Sequence, residues 1–182
     1  ISHEAISLAG HLRLNKLIVL FDDNHISIDG PTELTVSDDQ CKRFEACGWN
    51  TWKVDGHDPK AIAEAIAGAQ RSDKPAMIAC RTTIGFGAPT LAGTSKTHGS
   101  PLGEAEIKGA REKLGWNSAP FDVPADILAA WRKAGARGAD THAAWTQRQN
   151  AMPKAQRESF DRMLAGALPD GWDRIVNEVK QK

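Results

Sequence analysis

The run Leu17-Ile18-Val19-Leu20-Phe21 is apolar at every position and ends abruptly at Asp22-Asp23-Asn24. A strand with one wet face alternates apolar and polar residues. A run apolar throughout fits a strand covered on both faces, as in parallel sheets. Two more strand candidates follow: Asn50 to Val54, and Ala76-Met77-Ile78-Ala79-Cys80, continued by the β-branched Thr82-Thr83-Ile84. Helical patterns separate them. Ser37-Asp38-Asp39-Gln40 has the capping-box pattern, which predicts a helix starting there with acids in its first turn and stopping at Gly48. Asp58-Pro59 reads as an N-cap followed by a proline at the first helical position, and Ile62, Ala65, Ile66 and Ala69 form one stripe behind it. Before the first strand, Ala5, Leu8, Ala9 and Leu12 mark a helix over 3–14. Strand, helix, strand with connections of this length means parallel pairing and right-handed crossovers. The fold class is therefore α/β, a parallel sheet flanked by helices.

Residues 85–103 differ: Gly85, Gly87, Pro89, Gly93, Gly99, Pro101 and Gly103 punctuate a stretch rich in Thr and Ser. Loops of this length in compact domains are usually functional or disordered. With few large residues to anchor it, this one is expected to be mobile when nothing is bound. Only helical patterns follow, roughly over 104–114, 124–133, 140–165 and 171–180, interrupted by Pro120, Pro124, Pro153 and Pro169. Trp116, Trp131, Trp145 and Trp172 offer bulky anchors there. The whole reads as one domain with a helical extension, and 182 residues suffice for a real core.

Composition excludes several classes. The 23 Lys and Arg balance 23 Asp and Glu, which argues against bulk electrostatic binding of nucleic acid or anionic membrane. No apolar run approaches the ~20 residues of a membrane span, and no leader pattern is visible. Three scattered cysteines, Cys41, Cys47 and Cys80, suit free thiols in a reducing compartment. The chain begins Ile1-Ser2-His3-Glu4, with no Met, inside a helical pattern. Phosphate-loop and His-Glu-x-x-His patterns are absent, and Gly85-Phe86-Gly87 lacks the third glycine of a dinucleotide fingerprint, position 90 being Thr.

What remains is Asp22-Asp23-Asn24-His25-Ile26, at the carboxyl edge of a buried strand, where open α/β sheets bind ligands. A hard cation such as Mg²⁺ takes oxygen donors, often with phosphate oxygens among them. The Asn24 side chain offers one, and the Ile26 backbone carbonyl can reach the same ion if the loop curls. The same triplet also serves as an ordinary polar turn, and the residues by themselves leave both uses open.

Several blocks, in order and in register, resemble the transketolase family. They are Ile1-Ser2-His3-Glu4-Ala5, Asp22 through Gly30, Arg43-Phe44-Glu45-Ala46-Cys47-Gly48-Trp49, Val54-Asp55-Gly56-His57-Asp58, Thr82-Thr83-Ile84-Gly85-Phe86-Gly87 and Thr97-His98-Gly99-Ser100-Pro101-Leu102-Gly103. They cover residues 1 to about 116. The resemblance implies that 1–116 is the C-terminal part of an α/β domain that binds thiamine diphosphate. It implies that 117–182 is a helical linker toward a pyrimidine-binding domain not in this chain. It further implies reversible transfer of a two-carbon ketol unit from a ketose phosphate to an aldose phosphate.

By the same resemblance, Asn24 and the Ile26 carbonyl are metal ligands for Mg²⁺, or Ca²⁺ in its place. The remaining ligand, the Asp of a Gly-Asp-Gly segment, would precede Ile1. His98 becomes the catalytic, cofactor-binding and substrate-binding histidine, set between the diphosphate and the substrate hydroxyls. Asp22 supports the cofactor, and Ile28 and Ile84 offer apolar surface to its rings. His3, His11, His25, His57 and His142 receive no role. The parent protein would be a cytoplasmic homodimer acting on sugar phosphates, with no nucleic-acid or membrane partner. The 182-residue chain by itself would be inactive, lacking the metal Asp and an activating Glu of the second domain. A dihydroxyacetone synthase-like ketol transferase and a non-catalytic α/β interaction module are the rival readings.

Overall fold

The structure, a computed structural model, describes residues 2–181. Ile1, the first residue of the opening block, lies outside the described residues. The chain divides into two compact units, residues 1–117 and 118–182. No helix among the described residues is long and apolar enough to cross a membrane.

The first unit is built on a parallel three-stranded sheet of β1 (Ile18–Asp23), β4 (Asn50–Asp55) and β5 (Ala76–Arg81), in the order β1-β5-β4. The strands are in step, with Asp23 and Asp55 both abreast of Arg81, so all three carboxyl ends share one edge. A small antiparallel hairpin, β2 (Ile26–Ser27) with β3 (Gly30–Pro31), follows β1. Alternate residues of the central strand point to opposite faces, and this divides the core. Met77 and Ala79 join Ala9, Cys41 and Trp49 on one side. Ala76, Ile78 and Cys80 join Ala65 and Ala69 on the other. Helices α1 (Ser2–His11) and α2 (Gln40–Ala46) supply the first set, and α3 (Pro59–Gln70) supplies the second. At Gly10 the backbone of α1 approaches the residue that ends α2: a Cβ there would lie 1.7 Å from the Cys47 carbonyl oxygen. The Trp49 indole N–H clamps the same contact by donating to the Ile6 carbonyl at 2.8 Å.

Four expectations need correction. The apolar run of β1 is not covered on both faces. Among the described residues β1 is an edge strand, and Leu20 and Phe21 are 53% and 37% exposed. Its pattern calls for cover that these residues do not provide, whereas β5, flanked on both sides, is buried from Ala76 to Cys80. Second, α2 begins at Gln40 and is capped by Asp39, whose carboxylate accepts from the Lys42 N–H at 3.2 Å. The acids precede the first turn instead of occupying it. Asp39 also pairs with Lys53 at 3.3 Å, and Asp38 with Arg43, which ties both carboxylates down outside the helix. Third, β5 stops at Arg81: the Thr82 N–H makes one last long bond to the Asp23 carbonyl at 3.4 Å, and the Thr83 N–H goes to His57 Nε2 in place of a ladder carbonyl. Fourth, the helix expected over 140–165 is two, α6 (Ala139–Asn150) and α7 (Lys154–Leu164). Pro153 cannot donate a backbone hydrogen bond and breaks the run. The proline at α3 behaves as its position predicts: Asp58 accepts from the N–H groups of Lys60 and Ala61 at 2.9 and 3.2 Å, and Pro59 opens the helix.

After the 85–103 loop, α4 (Glu104–Leu114) closes the first unit on a left-handed Gly115. The second unit holds α5 (Ala125–Ala136), α6, α7 and α8 (Trp172–Lys180). None of these four helices contains a buried residue. Trp145 and Phe160 approach at 6.4 Å between ring centroids, and Gln149 donates to Asp161 at 2.7 Å. The expected tryptophan anchors lie largely in the open, Trp131 being 74% exposed.

Candidate functional site

The shared carboxyl edge collects the ends of β1, β4 and β5. At the end of β1 the chain folds on itself through Asn24, whose side-chain oxygen accepts from the Ile26 N–H at 3.0 Å. An Asn bonding the backbone two residues on closes a turn of its own. The residue it spans, His25, takes a left-handed φ of 59°, and its Nε2 lies 3.2 Å from an Asp23 carboxylate oxygen. The turn therefore brings the Asn24 amide and the Ile26 backbone onto one bend. Ile26 then enters the hairpin opposite Pro31, and Ser27 donates to the Gly30 carbonyl at 2.9 Å. Ile28 stands at the hairpin tip, 70% exposed.

Asp22 ties this bend to the sheet. One carboxylate oxygen accepts from the Asn24 amide at 3.2 Å, and the other accepts from the Thr82 hydroxyl beyond β5. With its nitrogen on Asp22 and its oxygen on the Ile26 N–H, the Asn24 amide has a fixed sense, and the oxygen keeps a second lone pair. The buried Cys80 thiol is pushed up chiefly by burial, and further by the Asp22 charge. Arg81 reaches back across the strand end and donates to the Asp23 carbonyl at 3.1 Å.

Beyond Thr82 the chain is held again at Thr83, whose N–H donates to His57 Nε2 at 2.9 Å. Ile84 follows, half-buried, its carbonyl accepting from Gly93 at 2.8 Å. Gly85 has φ +64°, and a Cβ on it would lie 2.8 Å from the Thr97 methyl. That approach sets the turn carrying His98 against the Ile84–Gly85 segment. His98 ends a short 3-10 turn over Ser95–Thr97, its N–H on the Ser95 carbonyl and its side chain exposed. The loop has an anchor that a search for large side chains overlooks. The Glu106 carboxylate on α4 accepts from the Thr90 hydroxyl and from the N–H groups of Thr90 and Leu91. Those bonds, the Thr90 hydroxyl first, hold its carboxyl below the ordinary value.

Asp22, Asn24 and Ile26 thus form one cluster, Thr82 bonds to it two residues before Ile84, and the His98 turn packs on Gly85. Ile28 is the member that stays apart, on the hairpin tip. Sequence reading gave no part to His57 or Glu106. His57 lies inside the Val54-Asp55-Gly56-His57-Asp58 segment that resembles the family, the one signal that could have marked it; Glu106 has none.

Among the described residues no three His, Cys, Asp or Glu side chains gather around a point where an ion could sit. A cation on this bend would draw on the Asn24 amide oxygen and the Ile26 carbonyl. Both are hard neutral oxygens, which suits Mg²⁺ in kind and leaves room for phosphate oxygens and further ligands. The chemistry of the donor set fits such an ion.

Residues 1–169 match the family described as transketolase, thiamine diphosphate binding domain. Transketolase of Sinorhizobium medicae is 52% identical over 172 residues, covering 93% of this chain and 25% of the relative. Transketolase 2 of Escherichia coli is 49% identical over 189 residues, covering 99% and 28%. Among solved structures, transketolase from Leishmania mexicana aligns with a TM-score of 0.85 at 37% identity, over 94% of this chain and 26% of that one. A Pichia stipitis transketolase variant in complex with fructose 6-phosphate gives 0.84 at 38%, over 95% and 26%. The chain spans about a quarter of the length of the curated relatives it matches.

Proposed function

The chain belongs to the transketolase family, and from that premise we propose that it is the diphosphate-binding part of a thiamine diphosphate-dependent ketol transferase. That enzyme moves a two-carbon unit from a ketose phosphate to an aldose phosphate, as a homodimer in the cytoplasm. The observation that carries this reading is the Asp22–Asn24–Ile26 bend at the carboxyl edge of β1, inside the stretch that matches the thiamine diphosphate binding domain.

Thiamine diphosphate, when bound, supplies the reactive carbon to which the two-carbon unit is attached. This chain's residues hold and orient. The Asn24 side-chain oxygen and the Ile26 carbonyl would hold a divalent cation, which would neutralise the diphosphate charge. Asp22 holds the Asn24 amide nitrogen, which would leave the amide oxygen for the cation. Ile84 and Ile28 offer apolar surface to the cofactor rings. His98 stands where an imidazole can donate to a phosphate oxygen or move a proton to or from a sugar hydroxyl. The helical unit over 118–182 links this domain to the next one.

The test is an assay of the full-length protein with ribose 5-phosphate or formaldehyde as acceptor of the two-carbon unit. Cofactor-dependent transfer favouring ribose 5-phosphate is the expected result. A preference for formaldehyde makes the protein a dihydroxyacetone synthase-like enzyme. No transfer to either acceptor makes it a non-catalytic module. Residues 1–182 by themselves should show none; ketol transfer by the isolated chain, free of full-length enzyme, overturns that part of the reading.

A further inference from the structure

Between β5 and the long loop, residues 82–86 leave the sheet with backbone bonds at Thr82 (N–H to the Asp23 carbonyl, 3.4 Å) and Ile84 (carbonyl from Gly93, 2.8 Å), and with two side-chain ties. The first is the Thr82 hydroxyl to Asp22. The second is the Thr83 N–H to His57 Nε2, at 2.9 Å and across 26 residues. Both Thr83 and His57 are exposed, so at Thr83 the turn is held by the hydrogen bond and the ring contact and not by burial.

His57 is itself well placed for that task. It follows β4 directly, and its own N–H donates to the Asp55 carboxylate at 2.9 Å, which fixes the backbone that presents the ring. The imidazole lies against Phe86 at 3.9 Å between centroids and 20° between planes. On Phe86, Lys113 of α4 places its ammonium 5.8 Å from the ring centroid. The next residue, Gly87, packs against Leu114. The imidazole thus touches both ends of the Thr83–Phe86 turn: the amide at its start and the ring at its finish. Because Nε2 accepts, the ring proton sits on Nδ1 in the neutral form.

We infer that His57 is a positioning residue for the cofactor site. Through Thr83 and Phe86 it fixes the turn that presents Ile84, and it keeps the Thr82 hydroxyl on Asp22, the carboxylate that orients Asn24. It touches neither cofactor nor substrate in this account. The inference rests on the reading of the bend as a thiamine diphosphate site.

The test uses the full-length protein with His57→Phe, which keeps a ring against Phe86 and removes the acceptor, and His57→Gln, which restores a side-chain acceptor without the ring. Two quantities are read: amide exchange of residues 82–87 in the cofactor-free protein, and the dissociation constant of thiamine diphosphate at saturating Mg²⁺ by calorimetry. His57→Phe should speed exchange and weaken binding by about fivefold each, the worth of one ordinary hydrogen bond. His57→Gln should recover part of both. Where His57→Phe does not fold, Phe86→Leu removes the stacked ring instead and should shift both quantities in the same direction. Unchanged exchange, or faster exchange with unchanged cofactor affinity, overturns the inference. A failure of the function reading shows itself separately: the unsubstituted protein then binds no thiamine diphosphate, and the inference falls with it before any variant is needed.

Discussion

At the scale of single residues, the polar contacts at the carboxyl edge each have a definite consequence. His98 is exposed and ends a turn, so its side chain contributes little to the fold. His98→Ala in the full-length protein should lower turnover on the order of 100-fold, the usual worth of a positioned acid–base group, with little change in melting temperature. An unaltered kcat and KM would remove His98 from the site. Glu106 makes a pH prediction. Its carboxyl is held below the ordinary 4.5 by the Thr90 hydroxyl and the Thr90 and Leu91 N–H groups. A depressed folded value means that its stabilising bonds are fully present above the unfolded value and are lost as pH falls through the folded one. The amide signals of Thr90 and Leu91 should therefore hold steady from neutral pH to about 4.5, then shift as the loop loosens. In Glu106→Gln that acid step should disappear; its persistence would mean another group anchors the loop. The sequence hid Glu106 and His57 for the same reason. Their partners lie 16 and 26 positions away, and a contact at such range leaves no periodic trace. The Asn24–Ile26 turn spans two residues, so it could be read directly.

At the scale of elements, the strands and helices that obey local rules were legible and their exact limits were not. Asp58-Pro59 announces α3 because cap and first-turn proline are adjacent in sequence. Ser37 and Asp39 both offer a cap; Asp39 is the one used, and it also reaches Lys53, a partner 14 positions away that the local pattern does not show. The Thr82-Thr83-Ile84 stretch has strand propensity throughout, yet it turns off the sheet at Thr83, whose N–H is taken by His57. Propensity loses where a specific side-chain partner is waiting. The close approach of α1 to Cys47 makes an element-level prediction. Gly10→Ala puts a methyl into the space of a carbonyl oxygen, and such overpacking should cost about 1–3 kcal/mol. Urea unfolding checks it; an unchanged midpoint would mean that α1 does not pack there as described.

At the scale of the whole molecule, the parallel sheet puts the site where it is. Three strands in step deliver Asp22 and Asn24, Asp55 and His57, and Thr82 and Thr83 to one edge. The hairpin and the long loop then build on that edge from β1 and β5. The α/β class followed from apolar runs alternating with helical stripes. The position of β1 as an edge strand did not, since strand order is set by crossovers and not by composition. The chain belongs to the transketolase family, matching its thiamine diphosphate binding domain, and the Asp22–Asn24–Ile26 bend is the place proposed for a divalent cation. The most direct measurement of that claim is calorimetric titration of thiamine diphosphate into the full-length protein at limiting Mg²⁺, unsubstituted against Asn24→Ala. The account predicts binding weakened by at least about tenfold, since even an outer partner of a metal ligand is worth that much. Equal affinities would show that the bend does not hold the metal.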